Sequence, residues 1–208
     1  MGFEDSALTR LRRYREEADR SLSLAQEAED TARRFFERLF AGLEYVAIIG
    51  RQAGFEVEAA QAKDLITLHV VARPGVEARV AFGLLRGAAA ETDEDLMHEE
   101  LSRYSLDPSG YSGRILGWSE AAGKEPCQTF AVYRDGVWKT KGLFVAKARG
   151  KVDDSDDVLN GFCLRILGRL IDLAALTGGV GRRWDATTYK LLDLVNGEEA
   201  PVEFRFPR

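Results

Sequence analysis

CQTFAVYRDGVWKTKGLFVAKAR, residues 127–149, holds two alternating runs around Arg134-Asp135-Gly136. Side chains alternate across a strand, so the turn that joins the runs decides which residues share a face. A two-residue loop sets Phe130 and Val132 beside the lysines. A three-residue loop with Gly136 in the left-handed conformation instead pairs Val132 with Trp138 and Tyr133 with Val137. Phe130, Val132, Trp138, Thr140, Phe144 and Ala146 then point inward. Thr129, Ala131, Tyr133, Val137, Lys139, Lys141, Val145, Lys147 and Arg149 take the other face. The second register separates apolar from charged side chains and is the one expected.

Upstream, Leu65–Ala72 and Val76–Leu85 flank Arg73-Pro74-Gly75, where proline fixes φ at the second turn position and glycine supplies a positive φ at the third. This predicts a second hairpin, with Val76, Ala78, Val80, Phe82 and Leu84 on its core face and Glu77 and Arg79 on the other. Phe55, Val57 and Ala59 alternate with Glu56 and Glu58 as a half-exposed strand, and Arg114–Trp118 reads as a further short strand. Thr92 and the acids after it predict a short helix through Leu96, Met97, Leu101 and Tyr104.

Asp153, Asp154, Asp156 and Asp157 supply capping oxygens and negative charge ahead of Leu159, Phe162, Cys163, Ile166, Leu167 and Leu170, a core helix that stops near Gly178-Gly179. A short helix from Thr187 or Thr188 and a strand through Val202, Phe204 and Phe206 are expected beyond it.

At the other end, no proline falls between Glu4 and Gln52, and the 3-4 spacing predicts one long helix. Its first half keeps a narrow seam, and its second half, with Phe35, Phe40 and Ala47, widens to a core-facing stripe. The fold class is therefore α+β: an antiparallel sheet with flanking helices and a long N-terminal amphipathic helix. The organisation expected is 1–34 as a projecting, coiled-coil-like half of the first helix, 35–182 as an α+β globular domain, and 183–208 as a short helix and strand.

Composition narrows the function classes. The 208 residues carry a net charge of -5, with 45% hydrophobic and 30% charged residues, an ordinary globular balance that supports neither a nucleic-acid footprint nor attraction to an anionic membrane. The first residues lack the basic-then-apolar order of a signal peptide, and Cys127 and Cys163 stand far apart, so a cytoplasmic setting without disulfides is expected.

His98-Glu99-Glu100 with Pro126-Cys127 resembles the His-x-Glu and Pro-Cys-x-x-Cys pattern of zinc nucleobase deaminases, but Phe130 stands where the second cysteine belongs. Gly117-Trp118-Ser119 approaches a nucleophile elbow, yet both histidines, His69 and His98, precede the serine. No cofactor and no metal site is expected. Lys139, Lys141, Lys147 and Arg149, with Tyr133 beside them, form a basic sheet face suited to an anion or, weakly, to nucleic acid; solvated edge lysines that block aggregation explain it more simply.

A helix of about 45 residues spans roughly 68 Å, longer than a globule made from the rest of the chain. The seam through Leu8, Leu11, Arg15, Ala18, Leu22, Ala25, Glu29, Ala32, Phe36 and Leu39 is expected to meet a second copy, paired antiparallel about Leu22 so that Arg15 lies level with Glu29. The element order looks like that of small acidic bacterial secretion chaperones, which bind other proteins; the likeness is one of order alone and carries over no residues. The expected function is a non-catalytic protein-interaction or assembly module, chaperone-like and homodimeric. An enzyme acting on a small polar or anionic substrate is the alternative.

Overall fold

The structure, a computed structural model, describes residues 3–90, 111–119 and 126–177. Helix α1 (Phe3–Gln52) leads into strands β1 (Glu56–Ala62), β2 (Leu65–Arg73), β3 (Val76–Ala90), β4 (Tyr111–Trp118), β5 (Gln128–Tyr133), β6 (Val137–Gly142) and β7 (Lys147–Lys151), and helix α2 (Asp156–Thr177) follows. The strands pair antiparallel in chain order as one seven-stranded sheet. The fold is α+β, a sheet flanked by an N-terminal and a C-terminal helix. The expected helix after Thr92 and the elements between Thr187 and Phe206 lie outside the described residues.

Turn chemistry sets the register of both hairpins. Gly75 and Gly136 take φ of +77° and +81°, and Val132 pairs with Trp138 as the three-residue loop requires. Phe130, Val132, Trp138, Thr140 and Phe144 are all buried. Beyond Gly142, however, the chain turns again, and β7 pairs with β6 instead of prolonging it, so Val145 is buried and Ala146 is exposed.

Buried Gln128 holds that second turn. Its Oε1 accepts the N–H groups of Phe144 and Val145, each at 3.1 Å, and its Nε2 donates to Val145 O at 3.1 Å and Thr140 Oγ1 at 2.6 Å. The amide thereby satisfies backbone groups that leave the ladder.

Both helices cover the sheet face that carries Val57, Leu68, Val80, Phe82, Ile115 and Phe130. Rings from five elements meet there: Phe35 stacks on Trp138 at 5.2 Å, and Phe130 lies 5.7 Å from Phe35, 5.8 Å from Phe162 and 6.0 Å from Phe82. Arg38 ties the β7–α2 connection to α1, donating to the carbonyls of Val152 and Asp154 and to the Asp156 carboxylate.

Burial along α1 begins at Ala28; residues 3–27 are exposed or half-buried. This corrects the coiled-coil expectation. Ala32, Phe36 and Leu39 lie in the core of this same chain, against the sheet and α2, so their 3-4 spacing serves an α+β sandwich. Glu29 accepts the N–H of Gly87 at 3.2 Å, where two extra residues of β3 bulge between Leu84 and Ala88. An antiparallel pair centred on Leu22 therefore has no free face to occupy from Ala28 onward.

The approach of α1 to β4 is close. A Cβ added at Gly113 would lie 2.4 Å from Ala32 Cβ and 2.9 Å from the Ala28 carbonyl oxygen, and backbone oxygen cannot swing aside. Gly113→Ala is expected to destabilise the fold by about 1–3 kcal/mol through overpacking. Urea unfolding checks this, and a wild-type midpoint would show that α1 sits further from β4.

Candidate functional site

Two clusters of polar side chains lie on the sheet face opposite the helices. The first is the expected basic face. Cross-strand pairs Lys139–Arg149 and Lys141–Lys147, with Ala131 opposite Lys139, bring the four cations onto one side of β6 and β7. Tyr133 shares that side, with the Lys139 Nζ 5.6 Å from its ring centroid, within reach of a cation–π contact.

Burial divides the set. Tyr133 and Lys139 are buried, whereas Lys141, Lys147 and Arg149 are exposed. Lys139 is not an edge lysine, because β7 pairs outside β6. A depression of about 400 Å³ beside it is lined by Val137, Lys139, Arg149 and Lys151 but also by Asp135 and Asp154. Those carboxylates accept the N–H groups of Val137 and Lys151, so the surface has mixed sign and its acids are committed to turns.

The second cluster was not singled out in the sequence. Glu58, His69 and Arg79 are cross-strand neighbours on β1, β2 and β3, and Glu77 stands one step along the same face. The His69 Nε2 lies 2.7 Å from Glu77 Oε2, and the Arg79 Nη2 lies 3.4 Å from the same oxygen. The hydrogen bond from His69 and the charge of Arg79 hold the Glu77 carboxyl below its ordinary range, against the opposing effect of partial burial. An open depression of about 270 Å³ adjoins it, lined by Glu58, Ala60, Thr67, Leu68, His69 and Arg79. Alternation alone puts these residues on one face; their pairing depends on the register of three strands.

A histidine oriented by a carboxylate is a common acid–base arrangement, but it needs a nucleophile or a bound substrate atom within reach. Ser119, which follows β4, donates its hydroxyl to the Arg79 carbonyl at 2.7 Å and is buried. Among the described residues, no three His, Cys, Asp or Glu side chains are gathered as a metal site, and His98 of the deaminase-like pattern lies outside them.

The cysteines are equally withdrawn. Cys127 and Cys163 are free and buried, and burial pushes each thiol up to about 12. The Cys127 thiol donates to the Gly117 carbonyl at 3.2 Å. A thiolate is the reactive form, so neither cysteine is prepared for nucleophilic work.

The expected self-contact residues divide at the start of the core. Leu8, Leu11, Arg15, Ala18 and Leu22 are exposed and Ala25 is half-buried, whereas Glu29 is engaged by Gly87 and Ala32, Phe36 and Leu39 are internal.

Two outcomes follow from these environments. His69→Ala removes the largest cause of the Glu77 shift, so the Glu77 titration should rise towards its ordinary value of 4.5; carbon-detected NMR of the carboxyl reads it, and an unmoved midpoint rejects the pairing. Both cysteines should resist a thiol reagent at neutral pH until denaturant is added. Stoichiometric labelling of the native chain would contradict their burial.

No family model, no curated protein and no solved structure matches the chain.

Proposed function

We propose that the chain is a non-catalytic protein-interaction or assembly module that acts as a homo-oligomer, with the apolar face of the first half of α1 as its contact surface. The observation that carries this reading is the exposure of Phe3, Leu8, Leu11, Tyr14 and Leu22 on a helix whose later turns are core. Residues 3–27 make roughly 37 Å of helix that is exposed or half-buried, with Glu27, at its end, 4.0 Å from Arg134 of the β5–β6 turn. Most helical stability in proteins comes from packing an apolar face, and apolar area left in water forgoes about 25 cal/mol for each Å². A second copy covering these side chains supplies both. The chaperone-like element order and the acidic balance are consistent with a binding role.

No helix among the described residues is long and apolar enough to cross a membrane. Two free, buried thiols fit a reducing, cytoplasmic setting. The alternative is an enzyme for a small polar or anionic substrate, and what favours it is the His69–Glu77 pair beside Arg79. Its depression is shallow and open to water, which weakens electrostatic stabilisation of a developing charge.

Light scattering and sedimentation on the full chain test the proposal. Leu11 and Leu22 are 63% and 69% exposed, so Leu11→Glu with Leu22→Glu should leave the melting temperature of the core nearly unchanged. The same pair should weaken self-association at least tenfold, about 1.4 kcal/mol. A chain that is monomeric at tens of micromolar, or whose assembly ignores both substitutions, rules this contact out.

A further inference from the structure

We draw no further inference here: the strongest candidate, the cluster of Glu58, His69, Glu77 and Arg79 with its open depression on the sheet face opposite the helices, belongs to the site already described, and nothing in the structure shows what covers or occupies it.

Discussion

The ring cluster of Phe35, Phe130, Trp138 and Phe162 fixes everything else in this molecule. Each ring buries roughly 150–250 Å², and tilted or edge-on pairs add specific geometry to that area. Because Phe35 belongs to α1, Phe162 to α2, and Phe130 and Trp138 to neighbouring strands, the cluster sets the height and direction of both helices over the sheet. Gly113 under Ala28 and Ala32 then becomes obligatory, since a helix held that low leaves no room for a Cβ, and Gly42 of α1 lets Cys163 of α2 come equally close from the side. The Trp138 indole, donating to the Lys151 carbonyl at 3.2 Å, extends the same constraint to β7.

The point at which α1 leaves the core is a consequence of that placement. With Phe35 pinned, the helix face reaches the rim of the sheet at Ala28, where the Glu29 carboxylate meets the β3 bulge at Gly87 and the remaining turns run into solvent. Extending the sheet would cover them; the bulge at Leu84–Ala88 shows the strand instead bending at this rim. The exposed stripe is therefore the same apolar stripe as the core face, continued past the end of its support.

The sheet was the legible part of the sequence. Alternation gave the faces, and the glycines of Pro74-Gly75 and Asp135-Gly136 fixed both registers through backbone conformations that few other residues adopt. What alternation did not reveal was the turn after Gly142, because the device that holds it is one buried glutamine amide sixteen residues upstream in the chain. Lys139 was misread as an edge lysine for the same reason: without β7 folded back beside β6, its strand has no outer neighbour. The seam on α1 carried a different ambiguity. A 3-4 repeat looks alike whether it faces another helix or a sheet, so Ala32, Phe36 and Leu39 were assigned to one seam with Leu8 and Leu22 although the stripe widens from Phe35 onward; burial separates them. The His69–Glu77 pair went unnoticed since its members come from two strands and meet only through their register.

The placement of polar and apolar groups is the ground on which we propose recognition and not catalysis. Catalytic groups gain most from a water-excluded cleft in which charges are weakly screened and donors are preorganised. Here the polar clusters occupy open depressions on the sheet, and the two thiols are buried with their protonated forms favoured. Among the described residues, the large apolar side chains that remain in water, Leu143 apart, sit instead on helices, whose backbones are already hydrogen-bonded and lose little freedom when another surface arrives. A rigid presenting face lowers the ordering penalty of association, so more of the area buried appears as affinity.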